Sequence, residues 1–465
     1  MAFQSVQFIA FFLVFLILYY RLPVRWRVPL VAAANAVFYI QAGWKNMLWL
    51  LAVCAWSYGA GWLLERTKQR AALLAAGLGL PLAGLCVFKY AVGTMPLGVS
   101  FYTFLVMGYL IDQYRRKYPP IKNPVHFFAF ASFFSFISSG PIERGDGLGK
   151  VIANEKPFDY EVFSQGMSRI LWGFFKKFVI ADTLAGIVNI VFTDLQHYTG
   201  PYLLLAVLLY SYQLYCDFSG YSDIAIGIAK TLGIPVMENF SRPFAASNYR
   251  DLWARWHNSL TGWFREYLYF PLGGSRCGAV RTACNTLIVF LVSGIWHGSG
   301  LGFAVWGLLN GVYMVIGRWT GPMRARLWPQ NPTKGAVVFR RVVQIVVVYL
   351  LFTSCIVFFR APAMADALTV YARLPFGWLE ALLAPGTVIE TLKSMGIGRV
   401  IGLLLLVCIV LCEWVEWRAA KAGCHTGAWM RTLPVWPRMA LYYGVAVLVL
   451  AFGKMGTSSF IYFGF

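Results

Sequence analysis

Charged residues are scarce in this chain of 465 residues. Only 13% of the residues are Asp, Glu, Lys or Arg, and 59% are hydrophobic, whereas about 25% of a soluble globular protein is charged. The mean hydropathy of +0.62 excludes an ordinary soluble domain. Strand-like alternation is absent too, so the spans are predicted to be helices. A span needs about 20 apolar residues, which leaves room for roughly ten to twelve.

Acidic residues are the scarcest charged type. Nineteen Asp and Glu stand against forty Lys and Arg, for a formal net charge of +21. The basic residues are spread over short loops between apolar runs, such as 21–27 and 115–122, which is the positive-inside pattern rather than a basic nucleic-acid-binding domain. We therefore expect one multi-pass domain at 1–465, with the lipid bilayer as a partner and no nucleic acid.

Motifs of several enzyme classes are missing. The chain has no Cys-x-x-Cys pair, and its five histidines lack the spacing of zinc ligands, so no metal site is predicted. A Gly-x-Ser-x-Gly elbow, a Walker loop and a dinucleotide fingerprint are also absent, and no bound cofactor is expected. The remaining possibility is general acid–base catalysis by an imidazole, whose pKa lies near neutrality.

Two of the histidines, His257 and His297, lie close together in sequence. His297 ends the apolar run 284–300, where a charged group would cost roughly 2.5 kcal/mol or more, which favours a functional role. The alternative is an imidazole that only makes an interhelical hydrogen bond. His257 lies on the apolar stripe of a helix predicted at 249–270, with Arg255, Asn258 and Arg265 on another face. A basic helix lying in the headgroups is the alternative there.

Polar residues also interrupt apolar sequence elsewhere. Asp217, Ser219, Tyr221 and Asp223 follow an apolar run at 201–215, and they are interpreted either as cavity-lining groups or as interfacial helix caps. Upstream, the segment 138–144 (Ser-Ser-Gly-Pro-Ile-Glu-Arg) needs protein or water around its backbone at membrane depth. A re-entrant or cavity-lining segment is predicted there, followed by a polar loop that runs to residue 159.

A set of motifs resembles the membrane-bound O-acyltransferase family, in its bacterial branch of alginate O-acetyltransferase membrane subunits. The motif-bearing core is about 96–320. Its motifs are Pro96-Leu-Gly-Val-Ser-Phe-Tyr-Thr-Phe104, Gly140-Pro-Ile-Glu-Arg144, Asp217-Phe-Ser-Gly-Tyr-Ser-Asp223, Met237-Glu-Asn-Phe-Ser-Arg242, Leu252-Trp-Ala-Arg-Trp-His-Asn-Ser-Leu260, Tyr267-Leu-Tyr-Phe-Pro-Leu272 and Gly294-Ile-Trp-His-Gly298, with Phe358-Phe-Arg-Ala361 and Phe460-Ile-Tyr-Phe463 downstream.

The resemblance implies a helical membrane fold with amphipathic segments and a central tunnel, in the bacterial cytoplasmic membrane. It also implies His297 as the catalytic base and His257 as a second functional residue that orients groups or stabilises the oxyanion. The side chains expected to line the tunnel are Asp217, Ser219, Tyr221, Asp223, Glu238, Asn239, Arg255, Trp256, Asn258, Arg265 and Trp296. The implied donor is cytoplasmic acetyl-CoA, and the implied acceptor is a cell-surface polysaccharide, reached through an extracytoplasmic partner resembling a serine hydrolase.

Two features depart from the acetylating members of the family. Phe136-Ile-Ser-Ser precedes the Gly140-Pro motif where those members carry Phe-Pro-Gln, which is closer to the relatives that transfer D-alanine to teichoic acids. Those relatives usually carry a longer insertion where this chain has the compact 272–276 segment, which favours acetyl transfer. D-alanyl transfer stays open as an alternative, as does a transporter whose buried polar residues line a substrate path.

Overall fold

Helices make up the secondary structure of the part of the chain that the computed structural model describes, which is residues 3, 5–138, 140–145, 157–326, 333–454 and 460–461. Within those residues no strand occurs. The prediction of an all-helical polytopic membrane protein is confirmed. The motif residues 462–463 and most of the predicted polar loop, 146–156, lie outside the described residues.

The α-helices in chain order are α1 (Val6–Arg21), α2 (Arg27–Ile40), α3 (Trp44–Arg66), α4 (Arg70–Cys86), α5 (Val99–Tyr114), α6 (Pro124–Ala131), α7 (Tyr160–Phe174), α8 (Asp182–Thr193), α9 (Gly200–Thr231), α10 (Tyr249–Arg255), α11 (Asn258–Phe264), α12 (Ala279–His297), α13 (Leu301–Trp319), α14 (Gly321–Arg326), α15 (Lys334–Arg360), α16 (Met364–Arg373), α17 (Trp378–Leu383), α18 (Pro385–Ser394), α19 (Arg399–Lys421), α20 (Thr426–Thr432) and α21 (Val435–Phe452). Short 3-10 turns lie at Val24–Trp26 and Pro243–Ala245, and π-helical stretches follow α4, α7 and α11 at Val87–Val92, Phe175–Ala181 and Arg265–Tyr269.

Seven helices in the described part of the chain are long and apolar enough to cross a membrane. They are α3, α4 with its π-helical extension, α12, α13, α15, α19 and α21. α1 is apolar but shorter. Other apolar runs of the sequence form helices that are shorter, such as α5 and α7, or that carry buried charges, such as α9.

The chain divides into two compact units. The first comprises residues 1–175, 218–238 and 422–465, and the second comprises 176–217 and 239–421. A single domain over the whole chain stays a prediction. The second unit holds both histidines of interest together with α12, α13 and α15.

In the first unit, the segment predicted to be re-entrant has irregular, buried backbone. α6 ends at Ala131, and the described residues from 132 to 143 are buried without regular structure. Asn35 on α2 satisfies part of this backbone, since its Oδ1 accepts from the N–H of Phe134 at 2.9 Å and its Nδ2 donates to the carbonyl of Ala129 at 3.2 Å. Irregular backbone at this depth is stable only when protein partners supply such bonds.

Candidate active site

His297 is the last residue of α12, at the place where this helix packs against α13. Two glycines make the approach close: a Cβ on Gly294 would lie 2.3 Å from the carbonyl oxygen of Phe303, and a Cβ on Gly307 would lie 2.4 Å from that of Phe290. Small residues let the backbones of membrane helices pack directly against each other. The contact between α12 and α13 therefore fixes the backbone that carries His297.

The imidazole of His297 is enclosed by aromatic rings and hydrogen-bonded to its own helix. Its ring centroid lies 4.8 Å from those of Trp296 and Trp306 and 5.7 Å from that of Phe359, and the residue is 4% exposed. Nδ1 lies 2.6 Å from the carbonyl oxygen of Ser293. Because a carbonyl oxygen only accepts, Nδ1 carries the proton, and Nε2 of the neutral ring keeps its lone pair.

His257 lies in a break between α10 and α11 and has a φ of 44°. The prediction of one continuous helix over 249–270 is therefore wrong. The N–H of Asn258 donates to the carbonyl of Asn239 at 2.9 Å, so a tertiary hydrogen bond replaces a helical one at this residue. A left-handed conformation is uncommon for residues other than glycine and costs of order 1 kcal/mol or more, which the surrounding contacts must offset.

The side chain of Asn239 holds this break in place. Its Oδ1 accepts from the N–H and the hydroxyl of Ser259, at 3.3 and 2.9 Å, and lies 3.1 Å from Nδ1 of His257. Since a backbone N–H can only donate, the atom facing it must be the amide oxygen. Nδ1 of His257 therefore donates to Asn239, and Nε2 is the acceptor nitrogen of this ring also.

The two imidazoles are electrostatically coupled. Burial lowers the pKa of His257 well below its usual value of 6.5, and positive charge on His297 lowers this pKa further. The ring centroid of His257 lies 6.5 Å from that of Trp296, the residue that precedes His297. A neutral imidazole that is protonated at Nδ1 can accept a proton from a hydroxyl at Nε2, so the arrangement is suited to general base catalysis.

One interpretation of the sequence made Asp217 a helix cap, but it does not cap a helix. It is buried within α9, and its Oδ1 accepts from Nζ of Lys177 at 2.5 Å. The same Nζ lies 2.8 Å from Oδ1 of Asp182. One lysine thus pairs with two carboxylates inside the second unit, which is how charges buried at such depth are accommodated.

The other predicted residues of the second unit have different surroundings. Arg255 pairs with Asp251 at 2.8 Å and is partly exposed. Trp256 is buried, and its ring centroid lies 4.9 Å from that of Phe352. The side chain of Asn258 is exposed, so only its backbone serves the break at His257. Arg265 is exposed and lines a large cavity beside α12, α13 and α15.

The remaining predicted residues belong to the first unit. Asp223 and Glu238 pair with one buried guanidinium, since Nε of Arg169 lies 2.9 Å from Asp223 and Nη1 lies 2.6 Å from Glu238. Asp223 lies inside α9 and is no helix cap. Ser219 and Tyr221 are buried on the same helix, and the hydroxyl of Tyr221 lies 2.9 Å from that of Ser138.

Sequence reasoning missed the basic partners of these carboxylates. Arg169 and Lys177 both lie in the apolar run 163–180, and a cation inside such a run indicates an anionic partner. That signal could have linked them to the aspartates of 217–223. The carbonyl of Ser293 had no signal of its own, because every helical residue presents one to the side chain four residues later. Among the described residues, no group of three or more His, Cys, Asp and Glu side chains could hold a metal ion.

The helices and the buried imidazole pair define a multi-pass membrane protein with a centre suited to proton transfer. A model of the membrane-bound O-acyltransferase family matches residues 110–360, more than half of the chain. The chain belongs to this family and is an acyltransferase. The alternative that it is a transporter is therefore excluded.

Three relatives have names that refer to three different polymers. The probable alginate O-acetylase AlgI of Pseudomonas putida is 37% identical over 74% of this chain and 76% of its own. A peptidoglycan O-acetyltransferase of Helicobacter pylori is 35% identical over 48% of this chain and 47% of its own. A teichoic acid D-alanyltransferase of Bacillus subtilis is 32% identical over 47% of this chain and 58% of its own.

Proposed function

We propose that the protein transfers an acetyl group from cytoplasmic acetyl-CoA across the bacterial cytoplasmic membrane for O-acetylation of a cell-surface polysaccharide. The observation that carries this proposal is the tautomer of His297: its Nδ1 donates to the carbonyl of Ser293, so Nε2 is the nitrogen that can accept a proton. The match to the alginate O-acetylase, which covers about three quarters of both chains, supports acetyl as the group and a polysaccharide as the acceptor.

In the proposed step, Nε2 of His297 accepts the proton of a hydroxyl as its oxygen attacks the thioester carbonyl. The carbon–sulfur bond then breaks, and the imidazolium returns the proton to the departing sulfur, so the products are an acetyl ester, the thiol form of CoA and neutral His297. A positioned base of this kind contributes about 10²- to 10⁴-fold to the rate. The neutral imidazole is the form that accepts a proton.

His257 is proposed to orient the reacting groups rather than to stabilise the oxyanion. Its Nδ1–H is engaged by Asn239, so Nε2 could donate to an oxyanion only from the protonated ring. Burial opposes that form by lowering the pKa. The neutral ring can instead accept a hydrogen bond from a substrate hydroxyl.

The acetyl group is proposed to reach the polysaccharide through an extracytoplasmic partner that resembles a serine hydrolase. This assignment rests on the family resemblance. Both routes, direct and through a partner serine, require the same first step, which is attack of a hydroxyl on the donor thioester.

D-alanyl transfer from a carrier protein is a second candidate. Two observations favour it: the 32% identity to a teichoic acid D-alanyltransferase over about half of the chain, and the Phe136-Ile-Ser-Ser sequence before Gly140. The shorter extent of that match, compared with the match to the alginate O-acetylase, favours acetyl as the donor group.

The test is a donor comparison in proteoliposomes. Purified protein would be reconstituted with its cytoplasmic face outward, and either radiolabelled acetyl-CoA or a D-alanyl carrier thioester would be added outside. A polysaccharide fragment or a serine-containing partner would serve as the acceptor, and release of the thiol would be measured. We expect turnover of acetyl-CoA that His297→Gln abolishes. Turnover of the D-alanyl thioester alone would replace the proposal with the second candidate.

A further inference from the structure

A cavity of about 1340 Å³ lies beside α12, α13 and α15, with α10 and α11 forming part of its wall. It exceeds the range of about 300–1,000 Å³ typical of small-molecule pockets. All three flanking helices have the length and hydropathy of membrane spans. Along α12 the lining extends from Thr282 to Ser293, which corresponds to about 16 Å at 1.5 Å per residue.

The charge in this cavity has one sign. Five arginines line it, Arg250, Arg265, Arg318, Arg324 and Arg340, and the described lining residues include no Asp or Glu. Two of them donate hydrogen bonds to neutral groups: Arg318 donates to the hydroxyl of Ser275 at 3.3 Å and Arg324 to the carbonyl of Gly317 at 2.7 Å. Neutral partners do not compensate the charge of Arg318 and Arg324, so this part of the cavity attracts anions.

Three of the arginines lie at one end of the membrane helices. Arg318 lies in the last turn of α13, Arg324 in α14, and Arg340 in the second turn of α15. This is the polar end of the α13–α15 pair, and the intervening segment is rich in basic residues, which predicts the cytoplasmic side. Guanidinium groups bind phosphate oxygens with paired hydrogen bonds.

The rest of the lining is largely apolar, and part of it is exposed. Val343 and Val347 on α15 line the cavity, yet they are 42% and 48% exposed, and Ile316 on α13 is 49% exposed. Exposed valine and isoleucine on helices that span a membrane are the residues that contact lipid. The cavity therefore combines a cationic end at the headgroup level with an apolar wall along the hydrocarbon.

We propose that this cavity is a binding site for an anionic phospholipid of the cytoplasmic leaflet. The phosphate lies among Arg318, Arg324 and Arg340, and an acyl chain extends along α12 and α15 toward Ser293. Basic pockets between membrane helices on the cytoplasmic side are suited to anionic lipid headgroups. A zwitterionic lipid brings no net negative charge to compensate the arginines, so it binds more weakly.

The inner end of this site touches the turn that holds the base. Ser293 lines the cavity, and its carbonyl accepts the Nδ1–H of His297. A bound acyl chain packs against this turn and restricts it. Where acyl transfer follows the proposed function, we therefore expect an anionic lipid to raise the rate severalfold; lipid binding itself does not depend on that function.

The test uses delipidated full-length protein in detergent micelles. Titration with phosphatidylglycerol or phosphatidylcholine, followed by native mass spectrometry and by the thermal midpoint, gives the affinity of each. We expect phosphatidylglycerol to bind at least tenfold more tightly than phosphatidylcholine. The triple variant Arg318→Gln, Arg324→Gln, Arg340→Gln should lose that preference, whereas a control with Arg25→Gln, Arg399→Gln and Arg418→Gln, three exposed arginines elsewhere, should keep it.

Two further arms make each outcome decisive. Val343→Trp retains all five arginines and fills the apolar part, so it should weaken phosphatidylglycerol binding while leaving the protein folded, even if the triple variant does not fold. Competition with free CoA and with glycerol phosphate separates the possible sources of phosphate. Displacement of the lipid by CoA at equal concentration, or equal binding of both phospholipids, overturns the proposal.

Discussion

The contact between α12 and α13 makes a sharp prediction for Gly307→Ala. The new Cβ would lie 2.4 Å from the carbonyl oxygen of Phe290, on α12, and ordinary contact begins at 3.4 Å. The two helices must therefore separate by about 1 Å next to His297, and a displacement of that size can lower a rate by about 10²-fold. Overpacking of this kind also costs about 1–3 kcal/mol of stability.

Gly317→Ala is the matched control. Gly317 lies on the same helix, and nothing lies within 4 Å of where its Cβ would be. Replacing glycine by alanine in an open helical position stabilises a helix by about 1 kcal/mol. We therefore expect an unchanged rate and a slightly higher thermal midpoint.

The assay is acetyl transfer from acetyl-CoA in proteoliposomes, with thermal unfolding followed by tryptophan fluorescence on the same preparations. A Gly307→Ala rate equal to that of the wild type would refute the claim that the helix contact positions His297. Equal losses in both variants would also refute it, because the loss would then come from the helix rather than from the contact.

Three other predictions concern hydrogen bonds and buried charge. Asn239→Ala leaves buried donors of His257 and Ser259 without their acceptor, so it should lower stability by about 1–3 kcal/mol and reduce transfer; unchanged thermal unfolding would contradict the assigned network. Lys177→Met strands two buried carboxylates and should cost about 3–5 kcal/mol, part of which the added Asp217→Asn should restore, as chemical denaturation can measure. The pKa of His257 is lower in the folded than in the unfolded chain, so the unfolded state takes up a proton first on acidification. The free energy of unfolding should therefore keep its full value well above pH 6.5 and should decrease by up to about 1.4 kcal/mol for each pH unit below 6.5. His257→Gln should flatten that slope.

The sequence predicted the helices that depend on local pattern. Long apolar runs with basic flanks became α3, α12, α13, α15 and α19, because burial of apolar surface in lipid and internal backbone hydrogen bonding suffice to specify a span. The burial of His297 could be predicted from the same pattern, because this residue lies within the apolar run 284–300.

The break at His257 could not be predicted from periodicity. The residues on either side follow a helical pattern, but Asn239, eighteen positions earlier, supplies hydrogen bonds that replace the helical ones. A tertiary contact of this kind overrides local propensity. The same applies to the charges of α9, whose basic partners lie outside the motif that contains the acidic residues.

The most direct test of the base is a single-turnover measurement of acetyl transfer by His297→Gln, with His197→Gln as the control because His197 is exposed. Both proteins would first be matched for thermal unfolding. We predict that His297→Gln lowers the single-turnover rate by about 10²- to 10⁴-fold, the contribution of a positioned general base, and that the control keeps the wild-type rate. A folded His297→Gln protein that transfers acetyl within about threefold of the wild-type rate would contradict the role of His297 as the base.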